Sequence, residues 1–135
     1  MRATLTLALV LGAVAAAAPA AAAPAKPVIK LQDPKFGNIL PTPRHQALYY
    51  WKVEQKDFRV HCTGACARAW PPLIVRSAAA VPKRAVGIKG VFGVVKRPDG
   101  KLQVTYNRLP VYTYAHEGPN QVLCDNVNGW FVVRL

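Results

Sequence analysis

Serine, methionine and acidic residues are scarce in this chain. Ser77 is the single serine, Met1 the single methionine, and Asp plus Glu number 6 against 18 Lys plus Arg. Ser77 lies in an alanine-rich connector with no nucleophile-elbow glycines around it, which speaks against a Ser-His-Asp hydrolase. With only the initiator methionine and no Cys-x-x-Cys-His run, neither a methionine-axial copper site nor a type c haem is indicated. The acids form no cluster, and calcium wants about 6 to 8 oxygen ligands. No cysteine precedes Cys62, so no residue near the amino terminus could carry a lipid.

What is present begins with an export signature. Arg2 gives a short positive region, Leu5 to Val14 an apolar core, and Ala15 to Ala25 a stretch of alanine broken by two prolines. This is the order of a secretory signal peptide covering residues 1–23, and an apolar core of about 10 residues falls short of the roughly 20 that span a bilayer. The product is expected to be a periplasmic or secreted protein of about 110 residues, one domain's worth, soluble after cleavage and without stable membrane insertion. A formal charge of +12 favours anionic partners. In an exported protein these are envelope lipid, glycan or acidic protein, and the scattered basic residues resemble no nucleic-acid reader.

Residues 24–43 read as a lead-in, because Pro27, Pro34, Pro41 and Pro43 permit at most short extended pieces. Residues 44–135 read as one β-rich domain. Ala47 to Val53 alternates as a strand, with Ala47, Tyr49, Trp51 and Val53 on one face, and Phe58 to Val60 is expected to return beside it. Thr63 is placed to cap a helical turn running from Ala65 to Trp70, ended by Pro71-Pro72. Ile74 to Lys83 reads as a connector with one helical turn. The clearest hairpin joins Val91–Arg97 to Lys101–Tyr106 across Pro98-Asp99-Gly100. Pro110 to His116 and Trp130 to Leu135 supply two further strands.

Two segments can be superposed. Leu48-Tyr49-Tyr50-Trp51-Lys52-Val53-Glu54 matches Val111-Tyr112-Thr113-Tyr114-Ala115-His116-Glu117. Cys62 follows Tyr49 by 13 positions and Cys124 follows Tyr112 by 12, while Trp70 and Trp130 follow by 21 and 18. The expected fold is therefore mainly β, a small antiparallel sheet domain built from two pseudo-symmetric repeat units with a short helical turn after the Cys62–Cys66 segment. The paired aromatics are equally what such units would bury as core.

On these residues the chain resembles a secreted repeat family of bacterial envelope proteins, many of them lipoproteins. Its motif is a tyrosine, an aromatic residue two positions on and an aspartate three further. Cys62-Thr63-Gly64-Ala65-Cys66 followed by Trp70-Pro71-Pro72-Leu73, Asp99 to Tyr112, and Gly129 to Val133 carry the rest of the resemblance. Both motif aspartates are glutamates here, Glu54 and Glu117, with a reach longer by about 1.5 Å. The anchor cysteine of the lipoproteins is missing, and Cys124 is additional. The resemblance implies an architecture and no assigned activity.

The chemistry-bearing residues are few. Cys62 and Cys66 are the preferred disulfide, since a tight Gly64-containing turn can bring their α-carbons within about 4.4 to 6.8 Å. Cys62 with Cys124 is the competing pair, and in either case one thiol is left over, to be buried, reactive or joined to a second chain. Glu54 and Glu117, the only glutamates, are read as acceptors that fix the turns after their strands, against a second reading in which they meet and share a ligand. Tyr49, Trp51, Tyr112 and Tyr114, interleaved with Lys52, Glu54, Arg108, His116 and Glu117, form the candidate binding set, suited to glycan rings or anionic head groups. The expectation is a non-enzymatic structural or binding protein without a cofactor. The alternative is a small copper or zinc protein, or a redox protein, using His61, His116 and Cys124.

Overall fold

The computed structural model of the protein describes residues 31–135. The expected secretory segment, residues 1–23, and residues 24–30 of the lead-in lie outside the described residues. The rest is predominantly β, with every strand pair antiparallel and one short helix.

Strands β1 (Leu31–Asp33) and β2 (Gly37–Ile39) form a first hairpin. Pro34 sits in its turn, where a missing N–H costs no ladder bond, and Asp33 Oδ1 accepts the amides of Lys35 and Phe36 at 2.8 and 2.9 Å. β3 (Tyr49–Trp51) pairs with β8 (Trp130–Val132), placing Trp51 opposite Trp130. After Trp51 the chain winds into a 3-10 turn, Lys52–Lys56, so Val53 leaves the strand face expected for it and is 39% exposed. Phe58 then takes a left-handed φ of 58°, and the expected return strand Phe58–Val60 does not form.

The helix α1 (Ala65–Ala69) starts after Gly64 without a side-chain cap. Thr63 contributes its carbonyl, which accepts the Cys66 amide at 3.1 Å, in place of the expected hydroxyl cap. β4 (Ile74–Val75) and a 3-10 turn, Ala78–Ala80, precede β5 (Phe92–Lys96) and β6 (Leu102–Tyr106), which pair across the Pro98-Asp99-Gly100 turn. Asn107 and Arg108, with φ of 48° and 70°, turn β6 back into β7 (Leu109–Pro110), and the double positive φ is that of a two-residue hairpin turn.

The two repeats are built on one hydrogen-bond plan. Leu40 N donates to Val133 O (2.9 Å), Val133 N to Leu48 O (2.8 Å) and Leu48 N to Leu40 O (2.8 Å), which ties three strands into a closed ring. Val104 N to Leu73 O (2.9 Å), Leu73 N to Val111 O (3.1 Å) and Val111 N to Val104 O (3.1 Å) close a second ring of the same form. Leu40, Leu48 and Leu73 in the first unit thus correspond to Val104, Val111 and Val133 in the second. Each ring takes two strands from one unit and the last strand from the other. The units are exchanged, and neither ring closes without both.

Strand alternation sends neighbouring residues into two separate cores. Leu40, Leu48, Val104, Val111 and Val133 pack on one side with Phe92 and Tyr106, while Ile39, Ala47, Tyr49, Trp70, Tyr112 and Trp130 pack on the other. The first core is mostly aliphatic and the second mostly aromatic. Because both faces of the central strands are covered, Leu48 and Tyr49 are each 0% exposed. Leu48→Ala is expected to cost about 2 to 5 kcal/mol of unfolding free energy, measured by urea denaturation. Val86→Ala, at a side chain open to solvent, should stay within about 0.5 kcal/mol.

Candidate functional site

The residues that the repeat brings together meet at the pseudo-two-fold axis. Tyr49 N donates to Tyr112 O at 2.8 Å and Tyr112 N to Tyr49 O at 2.9 Å, a single antiparallel bridge between the units. Their side chains then cross. Tyr49 OH donates to Glu117 Oε2 at 2.6 Å and Tyr112 OH to Glu54 Oε1 at 2.8 Å, so each tyrosine is held by the glutamate of the opposite unit.

Each glutamate also fixes the loop that follows it. Glu54 Oε1 accepts the amides of His61 and Cys62 at 2.8 and 3.3 Å. In the second unit Glu117 Oε2 accepts the Leu123 amide at 2.9 Å, and Tyr49 OH accepts the Cys124 amide at 3.4 Å. His61-Cys62 and Leu123-Cys124 occupy matching places. The two carboxyls serve two different tyrosines and do not form a shared site.

Electrostatics make this cluster quiet. Burial raises both carboxyls above their ordinary value against the lowering effect of their hydrogen bonds, and burial together with the facing glutamate raises both phenols. Glu54 Oε2 is buried with no hydrogen-bond partner among the described residues, a setting that a neutral carboxyl tolerates better than a carboxylate. Glu54 is 0% exposed and Glu117 only 6%. Both glutamates are thus withdrawn from solvent and hydrogen-bonded to the loop that follows each of them.

Around the axis lies a column of four rings. Trp70 and Trp130 stack at 4.0 Å between centroids, Trp51 stacks outside Trp130 at 5.4 Å, and Tyr114 lies outside Trp70 at 4.7 Å. Trp70 meets Tyr49 edge-on and Trp130 meets Tyr112 in the same way. The column obeys the repeat symmetry, with Trp51 and Tyr114 as its half-buried ends.

A polar chain joins this region to the β5–β6 hairpin. Arg97 Nη1 donates to Gln103 Oε1 at 2.6 Å and Nη2 to Cys62 O at 2.9 Å, and Gln103 Nε2 donates to Val111 O at 2.8 Å. Arg97 and Gln103 were not singled out from the sequence. An alternating strand next to a charged turn gives no sign that one arginine folds inward.

The expected binding set is therefore divided. Tyr49, Tyr112, Glu54 and Glu117 are buried at the axis, Trp51 and Tyr114 end the ring column, and Lys52 is exposed. His116 packs edge-on against Tyr114, and Arg108 lies 3.9 Å over the Phe58 ring. Cys62 and Cys66 are joined by a disulfide and Cys124 is a free thiol, raised by burial and by Glu117. His61 is held by Asp57 at 2.9 Å. Among the described residues no group of three or more His, Cys, Asp and Glu is placed to hold a metal, so His61, His116 and Cys124 are not gathered into the alternative site.

Residues 93–134 match the model of a family described as a secreted repeat of unknown function. The match runs from β5 to the strand after Trp130 and so takes in the second unit. No curated protein and no solved structure matches the chain. Among the described residues no helix is long and apolar enough to cross a membrane.

Two outcomes follow from the crossed clasp. Tyr112→Phe leaves Glu54 without its hydroxyl donor and should lower stability by about 1 to 3 kcal/mol in urea denaturation. A carboxyl raised in the folded state binds its proton more tightly there than in the unfolded chain. Stability is accordingly gained as pH falls through the raised value toward the ordinary carboxyl range, and lost on return to neutral pH. Asp57, held below its usual value by the Arg59 amide and His61, acts in the opposite sense and only at lower pH. The melting temperature should rise as pH falls from neutral toward the ordinary carboxyl range, and Glu54→Gln should reduce that rise.

Proposed function

We propose that this protein is a non-enzymatic exported domain, periplasmic or secreted, that binds an anionic component of the cell envelope through its cationic surface. One observation carries the reading. Every acidic side chain of the chain is already engaged within the fold, while among the described residues most Lys and Arg side chains make no hydrogen bond or ion pair.

Glu54 and Glu117 are buried in the clasp. Asp33, Asp57, Asp99 and Asp125 each accept a backbone amide of a nearby residue, at 2.8, 3.0, 3.0 and 3.0 Å. Among the described Lys and Arg residues only Arg97 and Arg134 lie within salt-bridge distance of a carboxylate. The carboxylates are spent on turns. Every described Lys and Arg except Arg97 is exposed, in a sequence whose formal net charge is +12.

The buried clasp and the ring column account for the repeated aromatics as scaffold. The binding role then falls to exposed cations such as Lys52 and Arg108.

The test is retention of the mature protein on phosphatidylglycerol vesicles and on alginate, against phosphatidylcholine vesicles and neutral dextran. Retention on an anionic phase is expected, and it should fall as added salt shortens the Debye length from about 10 Å to about 3 Å. Equal retention on anionic and neutral phases, or none on either anionic phase, would overturn the proposal.

A further inference from the structure

The one buried cation of the described chain sits beside a groove. Arg97 has a side chain only 3% exposed, and its two hydrogen-bond acceptors, Gln103 Oε1 and Cys62 O, are both neutral. Among the described residues its Nε has no hydrogen-bond partner, and the nearest carboxylate, Asp99 Oδ2, is 3.9 Å away on a side chain 51% exposed. A guanidinium withdrawn from water without a close counter-ion leaves a positive potential that an anion can satisfy. Arg97 lines a groove of about 410 Å³ with Arg59, Val60, Val95, Lys96 and Pro98. Arg59 and Lys96 are exposed at its rim, and the remaining three walls are apolar.

The other repeat supplies an internal comparison. Register places Lys96 opposite Leu102 and Gln32 opposite Asn38, and Leu40 corresponds to Val104, so Gln32, Asp33 and Pro34 match Lys96, Arg97 and Pro98. The matching loops place Gln121 and Val122 where Arg59 and Val60 stand. Valine and proline are kept between the halves. The three cations are replaced by Gln, Gln and Asp, so the charges of the exposed pair, Arg59 and Lys96, are not required by the shared scaffold.

We propose that this groove binds the phosphate headgroup of an anionic lipid, with Arg59 and Lys96 on the phosphate, Arg97 supplying the field beneath, and Val60, Val95 and Pro98 against the adjoining hydrocarbon. This rests on the cationic-surface function and narrows it to one place. The apolar walls select an amphiphile over a wholly soluble anion.

The experiment exchanges the rim for the residues of the other half. Arg59→Gln with Lys96→Gln is compared with Lys83→Gln and Lys89→Gln, which removes the same charge elsewhere on the exposed surface. Co-sedimentation with phosphatidylglycerol vesicles should weaken by about tenfold or more for the groove variant. The control should lose about threefold or less. An equal loss in both variants overturns the groove and leaves the general cationic surface standing. Binding of the deacylated, water-soluble headgroup as tightly as the vesicles overturns the lipid assignment. Failure of the unmodified protein to bind phosphatidylglycerol vesicles while it still binds alginate overturns the groove alone.

Discussion

The crossed pairing of Tyr49 with Glu117 and of Tyr112 with Glu54 is the constraint on which the other features depend. It sits on the axis, where the backbones of the two tyrosines also exchange hydrogen bonds. Burying two carboxyls is costly unless they are hydrogen-bonded, and one oxygen of each takes a phenol from the opposite unit together with backbone amide donation from its own following loop, two amides for Glu54 and one for Glu117. The loop beginning at His61 is thereby fixed, which sets Cys62 for its bond to Cys66 and its carbonyl for Arg97. The loop at Leu123 is fixed in the same way and leads the chain to Trp130, which stacks on Trp70.

Much of this was legible in the residues, and what was not has physical causes. The β5–β6 hairpin was readable because Pro98-Asp99-Gly100 states its turn locally. The two-unit plan was readable from the spacing of tyrosine, glutamate, cysteine and tryptophan. The β1–β2 hairpin was obscured because prolines mark a segment as irregular without saying whether each falls in a turn or a ladder, and Pro34 falls in the turn. Phe58 was misread as strand because nothing in a single sequence marks a bulky residue forced to positive φ. The crossing of tyrosine to the opposite glutamate depends on the exchange of the last strands, a long-range fact with no local signature. The aromatic residues were open to two readings, binding surface or core, and they are mainly core because both faces of the central strands are covered.

The repeat divides scaffold from specialisation. Positions that agree between the halves, among them Tyr49 and Tyr112, Glu54 and Glu117, Trp70 and Trp130, lie in the clasp and the ring column. Positions that differ despite equivalent backbone, such as Arg59 against Gln121, lie outside both. Comparison of one half with the other thus does within a single chain part of what an alignment does among relatives.

The closed rings around Leu40 and Val104 bear on how such a chain acquires its shape. The first ring waits for Val133, near the carboxyl terminus, and the second requires Leu73 from the first unit. A polypeptide that crosses a membrane as an extended thread, amino end first, cannot complete its first unit while its last strand is still inside. The order of synthesis and the order of assembly are opposed, and long-range pairing of this kind is slow to close. A chain with this exchange cannot close its first ring until Val133 lies on the same side of the membrane as Leu40 and Leu48.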